Sequence, residues 1–163
     1  MQKLWAMALA GEANSPRKYS KRTVNLFSSL DKDDAQRFSR LCSYGFVIQG
    51  DLVTLIYDIF HPIYKNHGIN FSILSHLEGI GLIQLGDVSD FVLRNLHQKI
   101  NVIFFGKKVQ IEFQSPTENH MEVGCVLLTQ VGNELATICD SVQREGFLEY
   151  VKEKWTSFGY KIE

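Results

Sequence analysis

The stretch that decides the fold is FSILSHLEGIGLIQLG, residues 71–86. Phe71, Leu74 and Leu77 recur every three residues, as apolar positions do along one face of an amphipathic helix. Gly81 stands where a helix commonly ends in the left-handed conformation, which glycine adopts most easily. The apolar residues that follow it continue as a strand. The stretch therefore predicts a short helix, with one apolar face turned inward, that runs directly into a strand.

Length and composition describe an ordinary globular chain without a strong charge. The chain has 163 residues, with 17 Lys and Arg against 18 Asp and Glu, and a formal net charge of −1. This length is enough for one domain with a proper core. The near-neutral balance removes the simplest argument for nucleic-acid binding, which is a strongly basic chain. No apolar run approaches the length of a membrane span.

The cysteines indicate a reducing compartment. The chain has three of them, Cys42, Cys125 and Cys139, which are scattered and have apolar neighbours. An odd, unclustered set is typical of reduced, buried and inert thiols rather than of a disulfide framework. We therefore expect a cytoplasmic protein.

The N-terminus imitates a targeting signal but favours another interpretation. Residues 2–11 place Leu4, Trp5, Ala8 and Leu9 on one helical stripe, and their apolar stretch is very short for a signal peptide. The sequence thus predicts the end of a helix here. Its abrupt start favours the C-terminal part of a longer protein.

Two capping residues predict two helices upstream of the opening stretch. Ser20 is placed to begin a helix that reaches about Leu30, with Val24, Phe27 and Leu30 turned inward. Asp31 is placed to begin the next helix, whose first turn is acidic and therefore favours the helix dipole.

The clearest strand signal lies downstream. Val109, Ile111 and Phe113 alternate with polar residues, a period of two that predicts a strand. Residues 101–105 precede them across a Gly-Lys turn centred on Gly106, which predicts a hairpin. Apolar residues occupy both faces of residues 101–105, so we expect both faces to be covered by this chain or by another one.

The remaining pattern completes one compact α+β unit. It predicts a strand over 51–58, with a helix as the alternative, then a short helix from Pro62 to about 66–68 and a short helix over 89–96. It further predicts a polar loop over 115–122, a strand over 124–128, a helix capped by Thr129, a last helix over 144–158 stopped by Gly159, and a terminal strand over 160–162. We expect residues 1–45 to form a helical lead-in packed on the core, and residues 46–163 to form the α+β domain with a C-terminal amphipathic helix.

One set of motifs carries a family resemblance. It comprises Trp5, Gly11-Glu12, Asn14, Pro16, Ser20, Arg22-Thr23 and Leu30-Asp31, and the stretches LEGIGLI (77–83) and LLTQVGNELATIC (127–139). This set resembles a bacterial family of uncharacterised proteins known as a domain of unknown function. It is also distantly similar to Abi-alpha-type proteins of phage abortive infection, which implies a link to phage defence. The resemblance assigns no catalytic residue, so Trp5, Glu12, Asn14 and Pro16 form a motif of unknown role.

A second resemblance concerns the C-terminal half. The matching residues are Leu74, Leu77, Gly81, Leu82, Ile83, Leu128, Thr129, Gly132, Glu134 and Leu135. This pattern is similar to winged-helix domains, in which a recognition helix runs into a strand and a wing. Roughly forty residues separate Ile83 from Leu128, more than a simple wing needs. The resemblance therefore implies an α+β, winged-helix-like core with an inserted helix and hairpin.

The helix over residues 71–80 is poorly equipped to read DNA. Its exposed candidates are Asn70, Ser72, Ser75, His76 and Glu78, and none of them is Arg or Lys. Residues 51–90 hold five acids and one lysine, and this acidic neighbourhood opposes docking on a phosphate backbone. The charge pattern favours a helix used for packing or protein contacts.

Basic residues are concentrated elsewhere. Residues 15–40 hold seven Lys or Arg against three acids. A nucleic-acid backbone or an acidic partner surface would be contacted by Arg17, Lys18, Lys21, Arg22, Lys107 and Lys108. The alternative is a solvated helix start whose cations pair with Asp31, Asp33 and Asp34.

No catalytic or metal motif accompanies these features. The five histidines lack the spacing of a metal site, and no phosphate loop, dinucleotide loop or nucleophile elbow occurs. Glu12 with Asn14 is better explained by a helix end and turn than by catalysis. The sequence thus predicts no catalytic residue, metal or cofactor. We expect an interaction or regulatory module that acts through a protein partner or self-association and not on a membrane; the alternative is a nucleic-acid-binding domain, and a third is an enzyme without a recognisable motif.

Overall fold

The computed structural model describes residues 19–86 and 90–163 and has a mixed α+β fold. The described helices are α1 (Lys21–Ser29), α2 (Lys32–Cys42), α3 (Pro62–Lys65), α4 (Phe71–Gly79), α5 (Gln130–Ala136) and α6 (Phe147–Ser157). The described strands are β1 (Gly45–Ile48), β2 (Asp51–Thr54), β3 (Ile83–Leu85), β4 (Phe91–Leu96), β5 (Lys99–Phe104), β6 (Lys107–Glu112), β7 (Asn119–Gly124), β8 (Val126–Leu128) and β9 (Lys161–Ile162). The predicted α+β class is confirmed, and the predicted helix over residues 2–11 lies outside the described residues.

Side-chain oxygens cap the helices at the predicted positions. The carboxylate of Asp31 accepts a hydrogen bond from the N–H of Asp34 at 2.7 Å, and the hydroxyl of Thr129 accepts one from Gly132 at 3.0 Å. Ser20 caps α1 in the same way. Such bonds satisfy donors that have no partner within the helix, and the three predicted helix starts are confirmed.

The buried side of α1 differs from the predicted one. Val24 is 43% exposed, whereas the polar Thr23 is buried. Helix α1 packs against α5, to which its N-terminal turn is hydrogen-bonded through Ser20. The predicted inward position of Val24 is wrong because this polar contact sets the rotation of the helix.

The opening stretch folds as predicted except at its first residue. Helix α4 leads through Gly81, which has a φ of 84°, into β3. Leu74 and Leu77 are buried, but Phe71 is 66% exposed. Its predicted inward position is wrong because the first turn of α4, begun by the cap Asn70, projects beyond the core.

The main sheet has five strands in the order β2-β1-β5-β6-β9, and every neighbouring pair is antiparallel. The β5–β6 hairpin and the terminal strand confirm the predictions. The hairpin turns at Phe105 and Gly106, whose positive φ values of 45° and 81° suit the twist of a tight hairpin. Strand β1 was not predicted, because Gly45 continues the apolar spacing of α2.

The hairpin buries one face of β5 and leaves the other open. Ile100, Val102 and Phe104 are buried, whereas Ile103 is 41% exposed and Phe105 39% exposed. The described residues therefore cover one apolar face of β5, and cover of the other face by another chain stays a prediction.

Aromatic side chains from α6 fill the buried face of the sheet. The ring of Phe46 stacks on Phe104 at a centroid distance of 4.7 Å, and Trp155 contacts Phe46 edge-on at 5.2 Å. Phe147 and Val151 are buried with them. The helix runs close to its predicted span and buries the predicted Leu148, Val151 and Trp155.

Residues 91–96 form a strand, although the sequence predicts a helix over 89–96, whose first residue lies outside the described residues. Strand β4 pairs with β7, with Leu93 opposite Met121 and register shifts on either side of it. Pairing with a distant strand overrides the local helical pattern. The same pairing shortens the predicted polar loop, because β7 begins at Asn119 rather than after Glu122.

One backbone contact joins the main sheet to the two small sheets β3–β8 and β4–β7. Ile56, just beyond β2, forms a parallel bridge with Gly124, and the N–H of Cys125 donates to the carbonyl of Ile56 at 2.9 Å. The Thr54 hydroxyl also donates to the carbonyl of Val126 at 3.4 Å.

The division into residues 1–45 and 46–163 stays a prediction. Strand β1 begins at Gly45, and α2 buries Phe38 and Leu41 in the same core as the strands.

Replacing Gly124 by alanine should be strongly destabilising. Its φ is +88°, and an added Cβ would lie 2.1 Å from the Ile56 carbonyl oxygen. We expect a loss in the free energy of unfolding of about 1–2 kcal/mol for the left-handed conformation, with about 1–3 kcal/mol more for overpacking. Urea unfolding of G124A measures the sum.

The matched control is Gly50→Ala. Gly50 also has a positive φ, +99°, but an added Cβ meets nothing within 4 Å. G50A should lose only the conformational part. Equal losses in G50A and G124A would contradict the importance of the close approach to Ile56.

Candidate functional site

A shallow apolar groove lies where the Tyr57–Phe60 loop meets the first turns of α4 and the end of β3. Its volume is about 290 Å³. Its lining residues come from four separate parts of the chain, and they are Tyr57, Asp58, Ile59, Phe60, Phe71, Leu74, Leu85, Gly86 and Cys125. The junction of Ile56 with Gly124 brings them together, since Tyr57 and Cys125 each follow one of the two joined residues.

Two phenylalanines stand exposed at this groove. Phe60 is 80% exposed and Phe71 66% exposed, which makes them the most exposed large apolar side chains in the described ranges. The N–H of Phe60 donates to the carboxylate of Asp58 at 2.9 Å. The side chain of Asn70 accepts from the N–H of Ile73 at 3.0 Å. Local hydrogen bonds therefore define the backbone at both positions while the rings remain in solvent.

Tyr57 forms a neutral, fixed wall of the groove. Its hydroxyl accepts a hydrogen bond from the indole N–H of Trp155 at 3.0 Å and donates to the carbonyl of Glu122 at 3.1 Å. Burial raises the pKa of Tyr57 well above its usual range. A phenol that is committed to two hydrogen bonds and stays protonated positions the loop and is not suited to acid–base chemistry.

The thiol in the groove is not activated either. Burial, and then the nearby carboxylate of Asp90, raise the pKa of Cys125 above its usual value. A reactive cysteine needs a lowered pKa. The groove is thus equipped for contact and not for covalent catalysis.

Three carboxylates lie in the groove or beside its lining residues, and together they form what we call its acidic rim. Asp58 lines the groove, Asp90 acts on Cys125 from nearby, and Glu78 accepts the N–H of Leu85 at 2.7 Å. None of the described lining residues is Lys or Arg.

Three of the five polar side chains of α4 that could have read DNA bases are engaged within the protein. His76 lies 2.5 Å from the carboxylate of Asp34. The Glu78 carboxylate accepts the N–H of Leu85 in β3, and the Asn70 side chain caps the helix. Ser72 and Ser75 are exposed. The structure thus leaves α4 few free groups for base edges.

The predicted basic residues occupy two regions. Lys21 and Arg22 are exposed in the first turn of α1, and Lys107 and Lys108 are exposed at the start of β6. Arg17 and Lys18 lie outside the described residues, as do Trp5, Glu12, Asn14 and Pro16. Of the acids expected to neutralise this patch, Asp34 instead pairs with His76 and, at 3.5 Å, with Arg37.

A carboxylate on α5 holds the start of α1. Glu134 accepts the N–H of Ser20 at 2.9 Å and an amide hydrogen bond from Gln130 at 3.3 Å. Burial acts to raise the pKa of Glu134, but hydrogen bonds led by the Thr23 hydroxyl outweigh it, and the pKa is lowered. The ionised carboxylate thus fixes the helix that carries Lys21 and Arg22.

Within the described ranges, no group of three or more His, Cys, Asp or Glu side chains is placed to hold a metal ion. The described helices include none that is long and apolar enough to cross a membrane.

Sequence reasoning missed Phe60 and placed Phe71 in the core. Phe60 belongs to a loop between a strand and a proline-led helix, and Phe71 directly follows a capping Asn. An aromatic residue directly after a helix cap is a sequence signal for an exposed ring, since the first turn of a helix often projects from the core.

Comparison of the sequence with known protein families shows the family to which the chain belongs. The chain is a mixed α+β protein with an apolar, acidic-rimmed groove, and residues 1–152 match the family described as protein of unknown function (DUF2806). The chain belongs to that family, which confirms the predicted resemblance to an uncharacterised domain. No curated protein and no solved structure matches it.

Replacing Glu134 by glutamine should weaken the protein in a pH-dependent way. The folded-state pKa of Glu134 is lowered, so its contribution to stability is present above its unfolded pKa and is lost as pH falls through the folded value. At pH 7 we expect E134Q to lose about 1 kcal/mol, which is below the range of about 1.5–3 kcal/mol for a hydrogen bond to a charged group because the partly exposed Glu134 carboxylate is screened by solvent. Thermal unfolding at pH 7 and at pH 3 measures the difference.

Gln130→Ala is the control for E134Q, because it removes a contact to the same carboxylate without removing the charge. Q130A should show a smaller loss. If the melting temperatures of the wild type and E134Q differ by the same amount at both pH values, the role of the ionised carboxylate is contradicted.

Proposed function

We propose that this protein is a non-enzymatic binding module whose groove takes up an apolar, positively charged segment of a protein partner. The observation that carries the proposal is the pair of exposed rings, Phe60 and Phe71, beside a preformed apolar groove. Exposed apolar surface next to a cleft is typical of interaction sites. A role of such a module in phage defence rests on the sequence resemblance alone.

The size of the groove favours side-chain anchors over a whole cofactor. Ligand pockets for drug-sized molecules usually span about 300–1,000 Å³, and this groove is near 290 Å³. Removing one exposed phenylalanine side chain from water stabilises a complex by about 1.5–3 kcal/mol. Two such rings can anchor a partner. Because their backbone is already fixed by hydrogen bonds, little conformational entropy is lost on binding.

The negative charge near the groove selects the partner. Asp58 lines the apolar groove, and Glu78 and Asp90 lie beside its lining residues Leu85 and Cys125. A segment with apolar anchors and flanking Lys or Arg is complementary to this charge. Complementary charge adds specificity and speeds association. An amphipathic helix with a basic polar face meets both requirements.

The order of elements supports a winged-helix-like arrangement in which α4 contacts protein rather than DNA. Helix α2, strands β1 and β2, helices α3 and α4, and strand β3 follow in sequence. Strand β3 pairs with β8, where Ile83 lies opposite Leu128. Strands β4 to β7 form the insertion between β3 and β8. In this proposal α4 takes the place of a recognition helix and presents Phe71 to the partner.

A pair of designed peptides tests the groove. Both are labelled 18-residue amphipathic helices with the same Leu-rich face; one has a Lys polar face and the other a Glu polar face. We expect the Lys peptide to bind at least tenfold more tightly, and the double variant F60S/F71S to weaken its binding by at least tenfold, about 1.4 kcal/mol. Fluorescence anisotropy measures both differences.

Val142→Ser is the matched control, because Val142 is 62% exposed and does not line the groove. V142S should bind like the wild type. Equal affinity for the two peptides, or unchanged binding by F60S/F71S, would contradict the proposal. Sedimentation velocity covers self-association: a dimer lost in F60S/F71S would make a second copy the occupant and overturn the heterologous partner.

A second candidate function uses the open face of the main sheet. Lys108 lies opposite Ile103, and Lys161 lies opposite Glu112, which in turn lies opposite Lys99. Directly opposite residues share one face of a sheet. Three lysines and the half-exposed Phe105 thus support contact with a nucleic-acid backbone and a stacked base, alongside the predicted patch Arg17, Lys18, Lys21 and Arg22.

A salt titration tests this second candidate. Binding of single-stranded and duplex DNA should weaken steeply between 50 and 200 mM salt, since released counterions drive such binding. Each lost phosphate contact should reduce the salt slope by about one in K107A/K108A and in R17A/K18A/K21A/R22A. Lys65→Ala is the control, because Lys65 is the single lysine in the acidic stretch of residues 51–90. No binding at low salt would exclude this candidate.

A further inference from the structure

A second cavity lies where the polar loop after β6 meets the end of α6. Residues 113–115, 118–120 and 158–160 line it, and we call it the terminal pocket. Its volume is about 280 Å³, just below the range of about 300–1,000 Å³ for drug-sized ligands. None of its described lining residues also lines the groove. The terminal pocket is therefore a separate site, of a size that suits a small ligand.

Three aromatic rings form the apolar walls of the terminal pocket. The ring centroid of Tyr160 lies 5.0 Å from that of Phe113, with 68° between the ring planes. It lies 5.9 Å from that of Phe158, with 59° between the planes. Phe113 is buried, whereas Phe158 and Tyr160 are half-buried. Rings at such steep angles form a corner, and the negative faces of aromatic rings attract cations.

The polar side chains beneath this corner offer acceptors rather than donors. The amide nitrogen of the buried Asn119 donates to the carbonyl of Ser115 at 2.8 Å and to that of Leu96 at 3.3 Å. Both N–H groups of this amide are thus committed, and no described residue donates to its side-chain oxygen. The hydroxyl of Ser115 likewise donates to the carbonyl of Thr117 at 2.8 Å. A ligand would therefore have to supply the positive charge or the donor itself.

The hydroxyl of Tyr160 is committed as well. It accepts the N–H of Glu122 at 3.3 Å and donates to the carbonyl of His120 at 3.4 Å. Burial raises the pKa of Tyr160, so the phenol stays neutral. Tyr160 therefore offers a ligand the face of its ring rather than its hydroxyl.

The charge at the terminal pocket is negative. Glu118 lines it and is exposed, and its carboxylate takes part in none of the ion pairs between described residues. No Lys or Arg is among the described lining residues. The backbone of Glu118 is left-handed, with a φ of 57°, which is uncommon for a residue with a side chain. An unpaired carboxylate beside three aromatic rings selects a cation.

We propose that the terminal pocket binds a small organic cation with an alkylated ammonium group. The positive charge would lie against the ring faces and pair with Glu118, while the alkyl groups would fill the apolar corner. A primary ammonium is more strongly hydrated, so it would lose more on leaving water. An anion would meet no Lys or Arg among the described lining residues. The site is independent of the partner proposed for the groove, because the two cavities share no described lining residue.

Two probes of the same shape test the charge preference. Choline carries a trimethylammonium group, and neohexyl alcohol has a neutral carbon in place of the charged nitrogen. NMR spectra of the isotope-labelled full-length chain follow both titrations at matched ionic strength. We expect choline to shift the backbone amides of residues 113–120 and 158–160 in a saturable way. It should bind more tightly than neohexyl alcohol by about threefold or more, as is typical of a cation at a partly exposed aromatic site.

Two variants and two matched controls assign the contacts. E118Q removes the charge at nearly constant size, and F158L removes one ring; each should weaken choline binding by about threefold. E145Q is the control for charge, because Glu145 is exposed and does not line the pocket. Y160F is the control for the ring, because it keeps the aromatic face and removes only the hydroxyl. Both controls should bind choline like the wild type.

Three results would overturn the proposal: no saturable shift with choline, equal affinity for the two probes, or unchanged choline binding by E118Q. Shifts centred on residues 57–60 and 125 would also overturn it, because they assign the cation to the groove. F60S/F71S should bind choline like the wild type, so this site and the groove are tested separately. The comparison of the two probes uses the wild type alone and decides the matter if a variant does not fold.

Discussion

The backbone contact between Ile56 and Gly124 is the constraint on which the rest of the structure depends. Because the Ile56 carbonyl accepts the N–H of Cys125 at 2.9 Å, the chain leaving β2 runs beside the corner between β7 and β8. This approach needs a residue without a side chain at position 124, since a Cβ there would meet the Ile56 oxygen at 2.1 Å. The groove is a direct consequence: Tyr57 continues from one side of the contact and Cys125 from the other, and both line it.

Charge is segregated around this frame. Carboxylates lie in or beside the groove, and two of them already accept backbone hydrogen bonds: Asp58 from the N–H of Phe60 and Glu78 from the N–H of Leu85. Lysines are instead exposed on the open face of the main sheet and at the start of α1. The two surfaces would therefore select partners of opposite charge. At the groove, the pKa values of Tyr57 and Cys125 are shifted toward the neutral forms by burial, which fits the proposed contact function.

Local signals predicted much of the fold. Caps at Ser20, Asp31 and Thr129, the glycine after α4 and the strict alternation of β6 each depend on neighbouring residues, and each is present in the structure. The failures have a common cause in long-range pairing. The residues of β4 have a local pattern that predicts a helix, but they form a strand because they pair with β7. Helix α1 buries Thr23 because Glu134 of α5 is hydrogen-bonded to the N-terminus of α1. Of the site, the acidic neighbourhood was predicted from the count of charges, while the groove was not.

The sequence by itself determined the α+β class, most helix starts, the hairpin and the family, since these follow from spacing and capping within a few residues. Only the tertiary structure decided which apolar side chains remain in solvent. Phe71 has the same three-residue spacing as Leu74 and Leu77, yet it is exposed while they are buried. Periodicity assigns a face of a helix but not the depth at which each turn enters the core. That depth depends on contacts between segments far apart in the chain.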